Sequence, residues 1–281
     1  MRLFFRLIKL LFTIICLLGL LFAYAIFIEP NWLTTEQVPV SSRYTASKTG
    51  GSLSIAQFSD THLGFQYDLE DLEKAVSEIN QAQPDIVVFT GDLIDHAKSY
   101  ARIEEVGAVL AKIEAPLGKY AIYGNHDYGG GAEKHYQSIM AEGGFQLLVN
   151  ETVPLTLPNG KLVTIGGLDE VMLGQPDPQA VEARFSPVGV NVLLLHEPDY
   201  VDQFNTLPNL AIAGHSHGGQ VQLPFYGPLI TTAYAERYND GFYAVGPAQD
   251  TMLYVNTGLG TTKLPMRFAN PPVITFYQLE L

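Results

Sequence analysis

Hydrophobic positions along the chain change period twice. From Leu10 to Ile28 they run for 19 residues without a charge, about 28 Å as a helix and close to the thickness of a bilayer core. Glu29 to about Gly51 is polar, with Pro30, Pro39 and a run from Ser41 to Gly51, and reads as a linker able to reach roughly 70 Å when extended. Leu53 to Phe58 then reads as a strand. Leu69, Leu72, Val76 and Ile79 recur at helical spacing over Leu69 to Ala82, and the β-branched run Ile86 to Phe89 predicts a second strand. Ile103 to Ile113 is helical in pattern, Tyr120 to Tyr123 a strand, and Glu133 to Ala141 a helix. After that short strands prevail, around Leu147, Leu155, Val163, Val192 to Leu195, Ile212, Phe242 to Val245, Met252 to Val255 and Val273 to Leu279. Alternation followed by strands predicts an α/β domain over 52–281, with stacked mixed sheets and flanking helices.

Charge gives the apolar run a direction. Arg2, Arg6 and Lys9 precede it and Glu29 and Glu36 follow, so the positive-inside rule keeps the N-terminus in the cytoplasm. The expected arrangement is a single-pass cell-membrane protein, with 1–28 as anchor or signal segment, 29–51 as linker and the remaining domain on the extracytoplasmic side. Ala23-Tyr24-Ala25 offers a signal-peptidase site, but the apolar run continues past it to Ile28, which favours an uncleaved anchor. The overall formal charge is −13, and three of the cations sit before the anchor, so the domain carries no basic footprint for duplex nucleic acid. Hydrophobic residues make up 47% of the 281, enough for a sizeable core. The only cysteine, Cys16, lies in the apolar run, which removes disulfide, thiolate-metal and cysteine-nucleophile chemistry from the domain.

The candidate chemistry sits where predicted strands end. Ser59-Asp60-Thr61-His62 ends the first, Thr90-Gly91-Asp92 the second, Gly124-Asn125-His126-Asp127 the third, and His196 closes Val192 to Leu195. The apolar Leu210 to Ala213 is followed by Gly214-His215-Ser216-His217-Gly218, whose i, i+2 imidazoles are spaced to reach two ions lying side by side. Taken singly, Asp60 or Asp92 could cap a helix, Asn125 could be a turn residue and His196 a hydrogen-bonded core histidine. Together, a set of aspartates, histidines and one asparagine suits Mn, Fe or Zn better than the all-oxygen sites of Ca or Mg. His96, His135, Asp95 and Asp199 are read as solvated or capping groups, with Asp199 capping a helix after Pro198.

These five clusters resemble, in order, the pattern of the calcineurin-like metallophosphoesterases: Asp-x-His, Gly-Asp, Gly-Asn-His-(Asp/Glu), a lone His, then Gly-His-x-His. The resemblance covers about Leu53 to Leu281. It implies a four-layer α/β/β/α sandwich behind the transmembrane helix, and two divalent ions as cofactors. It also implies that Asp60, His62 and His217 bind one ion, that Asn125, His196 and His215 bind the other, and that Asp92 bridges them. His126 would be the catalytic histidine, oriented by Asp127. The tail from Gly258 to Ile274 resembles that of membrane-associated bacterial members, where Arg267 is a candidate contact for substrate phosphate. Phe225, Tyr226, Tyr234, Tyr238, Phe242 and Tyr243 are expected in the core.

The expected activity is phosphoester hydrolysis, foremost of a lipid-linked or small phosphodiester near the membrane, by in-line attack of a metal-bridging hydroxide. One alternative is a UDP-diacylglucosamine pyrophosphatase, whose lipid product would need a site facing the cytoplasm. Another is a non-catalytic scaffold on the same fold.

Overall fold

In the computed structural model of the protein, which describes residues 1–45 and 50–281, the strands divide by what they bury. Ile86–Phe89, Val190–Leu195 and Leu210–Ala213 are buried at every position, as strands covered on both faces must be. They belong to two six-stranded sheets. The first has the order Thr34–Val40, Val273–Glu280, Ser52–Phe58, Ile86–Phe89, Lys119–Ala121, Gln146–Leu147. The second runs Gly241–Val245, Thr251–Val255, Leu210–Ala213, Val190–Leu195, Leu162–Gly167, Glu151–Thr156.

Side-chain alternation then stacks the layers. Ile55, Val88 and Ile122 of the first sheet meet Val192, Leu194 and Ile212 of the second in one core. On the outer face of the first sheet, Phe58, Val87 and Phe89 pack against Leu72, Val76 and Ile79 of the helix Leu69–Ala82 and against Tyr136 and Met140 of Glu133–Glu142. On the outer face of the second, Leu193, Leu195 and Leu253 meet Val181, Val201 and Phe204. The result is an α/β/β/α sandwich whose fourth layer is thin, a five-residue helix Pro178–Glu182 and the 3-10 turn Pro198–Gln203. The helix Leu69–Ala82 is set by its ends as well as its stripe: Asp68 and Asp71 form a capping box, and Gln83 closes it in the left-handed conformation.

Three expectations change. Asp199 caps no helix; its carboxylate accepts the N–H groups of Glu236, Arg237 and Tyr238 and pins that loop to the fourth layer. The stretch Ile103 to Ile113 is α-helical only over Val106–Leu110, after a 3-10 turn Ile103–Glu105. The third change falls on 29–51. Thr34–Val40 is no tether but an edge strand, pairing parallel with Val273–Glu280 and burying Val38 and Val40. Pro39 sits between them facing out, the position in which an edge strand tolerates proline.

The N-terminal helix spans Arg2–Phe27 and is apolar enough to cross a membrane. Nearly all of it stands clear of the domain, but its last turn does not. Ala25 is buried, its carbonyl accepts the Arg267 N–H at 2.9 Å, and the buried Glu29 carboxylate accepts the Asn270 N–H. The helix end is therefore fixed to the domain. A chain beginning at residue 46 loses Val38 and Val40 from the core and is expected to melt roughly 10 °C below one beginning at residue 29. Equal melting temperatures in parallel thermal scans would show that the edge strand contributes nothing.

Candidate metal centre

Strands Ser52–Phe58, Ile86–Phe89 and Lys119–Ala121 of the first sheet run parallel, as do Val190–Leu195 and Leu210–Ala213 of the second. Their carboxyl ends come together, and each leads into one of the five clusters. Leaving the ladders takes unusual backbone. Asp60, His62, Asp92, His215 and His217 have φ of 51°, 44°, 60°, 68° and 49°, left-handed conformations that cost about 1–2 kcal/mol each for residues with a Cβ. Five such turns at one place are held by the surrounding bonds, among them Asp60 N–H to Gly91 O and His62 N–H to Asp92 O.

The close approach also depends on absent side chains. A Cβ on Gly124 would lie 2.3 Å from Asp92 Oδ1, and one on Gly258 would lie 2.6 Å from the Asp60 Cβ.

The side chains form two groups. Asp60, His62 and His217 converge in one, and Asp92, His196 and His215 in the other. Asp92 Oδ2 lies between them, 3.4 Å from both His62 Nε2 and His196 Nε2, while its Oδ1 accepts the His126 N–H at 2.7 Å. Each imidazole is oriented by what its other nitrogen does. His62 Nδ1 donates to Asp95 Oδ1 at 3.2 Å, His196 Nδ1 to the Thr90 carbonyl at 2.6 Å, and His215 Nε2 to the Ala233 carbonyl at 2.9 Å. The remaining nitrogens, His62 Nε2, His196 Nε2 and His215 Nδ1, are left for the cluster.

These residues fit a pair of divalent ions by the company they lack. Among the described residues nine buried side-chain atoms have no hydrogen-bond partner, and two are Asn125 Oδ1 and His196 Nε2, both on the implied ligand set. His62 Nε2 and His217 Nε2 face each other at 3.0 Å, close enough to share a proton or to take one cation between them. Asp60 and Asp92 bury two carboxylates within this cluster of imidazoles.

The electrostatics point the same way. Burial, then the charge on His196, lowers the His215 pKa to about 4, and burial with His62 and Arg267 holds His217 well below its ordinary value. Both rings are neutral at pH 7 and ready to ligate. Burial alone would also depress His196, but the Asp92 carboxylate beside it reverses the sign and holds it well above the usual imidazole value. Against its own desolvation, Asp92 is held well below the carboxylate range by His196 and then His62.

Two implied roles need correction. Asp127 does not touch the His126 ring; its buried carboxylate accepts the N–H groups of Asp92, Leu93 and Gly124, tying the second loop to the third. The ring is held instead by Asp95, whose carbonyl accepts from His126 Nδ1 at 3.0 Å and whose Oδ1 lies 3.4 Å away. Arg267 cannot reach a substrate phosphate. It is fully buried, and its guanidinium donates to the carbonyls of Thr257, Gly258, Gly260 and Asn270. Burial lowers its pKa to about 10, so it stays charged at neutral pH and braces the loop that packs on Asp60.

Asp95 is thus the residue that sequence reasoning passed over. Its position three residues after Asp92, in the same loop, is the only sequence signal, and spacing cannot say which histidine it faces.

Comparison with known proteins gives the family. The family model described as calcineurin-like phosphoesterase matches residues 53–219. The metallophosphoesterase YkuE of Bacillus subtilis is 42% identical over 260 residues, covering 92% of this chain and 90% of the relative. The UDP-2,3-diacylglucosamine pyrophosphatase LpxG of Chlamydia trachomatis is 28% identical, covering 93% of this chain and 94% of its own. A transmembrane protein with metallophosphoesterase domain from Bos taurus is 29% identical over 94% of this chain and 59% of its own length.

A raised His196 pKa has a measurable sign. An ion taking His196 Nε2 must displace its proton, so metal uptake is expected to release protons and to tighten as pH rises from 6 to 8. Calorimetry in two buffers of different ionisation enthalpy reads the proton count, and zero release would contradict the assignment. Asp95→Asn, which removes the carboxylate behind His62, is expected to weaken metal binding about 10–100-fold in the same titration.

Proposed function

The chain belongs to the calcineurin-like phosphoesterases and is a metal-dependent phosphoric ester hydrolase, and from that premise we propose that it cleaves a lipid-linked phosphodiester or a small phosphodiester at the membrane surface. The observation that carries the reading is a two-part ligand cluster in a domain whose membrane-spanning helix ends against it. Asp60, His62 and His217 would hold one ion, Asn125, His196 and His215 the other, and Asp92 both, with Mn, Fe or Zn favoured by the mixed donors. Bound there, two divalent ions supply Lewis acidity toward the phosphoryl oxygens and a nucleophile at neutral pH.

The chain's own residues do the rest. Asp95 fixes the tautomer of His62, and the Thr90 and Ala233 carbonyls fix those of His196 and His215. His126 is partly exposed with its Nδ1 committed to the Asp95 carbonyl, so that in the doubly protonated form its Nε2–H can protonate the departing oxygen. Asp127, by holding the Asp92 and Gly124 backbones, keeps Asn125 and Asp92 in register.

A second reading is favoured by one observation, the similarity to a UDP-2,3-diacylglucosamine pyrophosphatase along nearly the whole chain. That reaction splits a phosphoanhydride between a nucleotide and a lipid, and the same two-ion centre would serve it. Charge bias across the anchor sides instead with an extracytoplasmic domain.

Two measurements test these readings. The manganese-loaded chain in detergent micelles is expected to hydrolyse bis(p-nitrophenyl) phosphate, with Asp92→Asn and His215→Ala at background while both stay folded by circular dichroism. Failure of the loaded wild type on this compound, and on phospholipid diesters, would overturn the phosphodiesterase proposal. Ser77→Cys, at an exposed helix position, is expected to react with a membrane-impermeant maleimide on intact cells. Protection until lysis would place the domain in the cytoplasm and favour the nucleotide-lipid reaction.

A further inference from the structure

The aromatic stretch after the histidine pair does not behave as a core. Tyr238 is buried, but Phe225, Tyr226, Tyr234 and Phe242 are exposed, Phe225 completely. Phe225 and Tyr226 sit in the turn of a small hairpin, Gln222–Leu223 against Gly227–Pro228. Phe225 has φ 66°, a left-handed conformation that a bulky side chain adopts only where the fold imposes it. Leu223, Leu229 and Ile230 along the same hairpin and Leu264 on the neighbouring loop are also exposed, and Ile230 and Leu264 line one groove, so the apolar surface runs along the chain and across to the loop.

Two features say what covers it. The first is the anchor. Arg267 N–H donates to Ala25 in the last turn of the membrane helix, and the next residue, Phe268, pairs with the base of the hairpin: its N–H donates to Gln220 O, and its carbonyl accepts from Gln222 N–H. Helix end and hairpin base therefore flank one short segment, and the hairpin tip is only about 10 Å further on at strand rise. With Leu10 to Ile28 in the bilayer core, a domain that buries Ala25 has this face at the headgroup level. Phe27 and Trp32, beside the helix end, are exposed there too, as in the aromatic belts of membrane interfaces.

The second feature is charge. In a chain with 29 acidic residues, none lies between Asp202 and Glu236 or between Asp250 and Glu280, the two stretches that build this face, while Lys263 is exposed beside Leu264. A surface built to meet anionic headgroups excludes carboxylates and keeps cations.

We propose that the hairpin inserts Phe225 and Tyr226 into the headgroup region of the bilayer that holds the N-terminal helix, so that the groove between Ile230, Leu264 and His217 opens onto lipid. The groove is small, about 50 Å³, and His217 lines it together with the aliphatic side chains of Ile230 and Leu264. An amphiphilic phosphoester can then place its phosphate at the metal centre with its apolar part still in the membrane. The proposal deepens the membrane-surface reading above, and rests on it only for the anchor.

The test separates the two. In the full chain carrying Trp32→Phe, which removes the only tryptophan, Phe225→Trp places a single reporter at the tip. Reconstituted in phosphatidylcholine vesicles with a fifth of phosphatidylglycerol, it is expected to emit at short wavelength and to lose at least half its intensity with lipids brominated in the upper acyl chain. Emission at the wavelength of water-exposed tryptophan, unaffected by brominated lipid and fully quenched by acrylamide, overturns the proposal. So does a blue shift that depends on protein-to-lipid ratio without bromine quenching, which would mean a second copy covers the hairpin. Phe225→Ser with Tyr226→Ser is expected to raise KM at least fivefold for a vesicle-borne phosphodiester, leaving turnover of bis(p-nitrophenyl) phosphate unchanged. Bromine quenching in a protein that cleaves no lipid upholds the insertion and refutes only the substrate reading.

Discussion

The Asp92 carboxylate is the constraint on which the rest of the domain depends. It is almost wholly buried, and one oxygen lies equidistant from an imidazole of each ligand group while the other takes the His126 backbone N–H. A carboxylate so far from water is tolerable only with compensating charge and hydrogen bonds around it. Asp60 adds a second buried carboxylate in the neighbouring ligand group, whose charge burial disfavours and His196 supports. Histidines supply part of the compensation, and the unpartnered Asn125 Oδ1 and His196 Nε2 supply the place for the remainder. Two cations satisfy the lone pairs and the negative charge together, which is why the donor set fits them.

Holding that cluster requires two sheets. No single sheet could deliver donors from five strand ends to one point, since neighbouring strands are about 4.8 Å apart and fan out with the twist. Stacking Ser52–Phe58, Ile86–Phe89 and Lys119–Ala121 against Val190–Leu195 and Leu210–Ala213 brings two rows of strand ends face to face. The left-handed turns at Asp60, His62, Asp92, His215 and His217 aim the side chains inward, and Asp127 and Arg267 hold the loops by binding their backbone amides and carbonyls. Asn270 extends the brace: its side chain donates to the His217 carbonyl, and its N–H meets the Glu29 carboxylate just past the N-terminal helix. The end of the apolar helix and the site thus share a hydrogen-bonded chain, and the domain is held close to that helix end rather than tethered at a distance.

Much of this was legible in the chain, unevenly and for identifiable reasons. The strand ends bearing Asp60, Asp92, Asn125, His196 and His215 could be read because fully buried strands leave continuous apolar runs that stop where the polar loop begins. The helix Leu69–Ala82 could be read because its stripe and its capping aspartate agree. Thr34–Val40 could not, because an edge strand needs only alternate apolar residues and its proline and charged neighbours imitate a linker. Arg267 looked like a phosphate ligand because an arginine in a glycine-rich tail offers the same donors whether it meets an anion or four carbonyls. The aromatics after His217 looked like core because composition does not record which side of a turn faces out.

By itself the sequence determined the order of most strands and helices, the apolar N-terminal run and its charge bias, and the kinds of donor atom available at each strand end. These are local properties, carried by neighbouring residues and by period. Only the tertiary structure decided that Asp95 rather than Asp127 holds His126, that Asp92 stands between the two ligand groups, that Arg267 is a brace, and that the N-terminal helix ends beside the hairpin. Each of those is a contact between segments distant in the chain, fixed by how the two sheets stack and by which buried polar groups must find partners, and no local pattern encodes it.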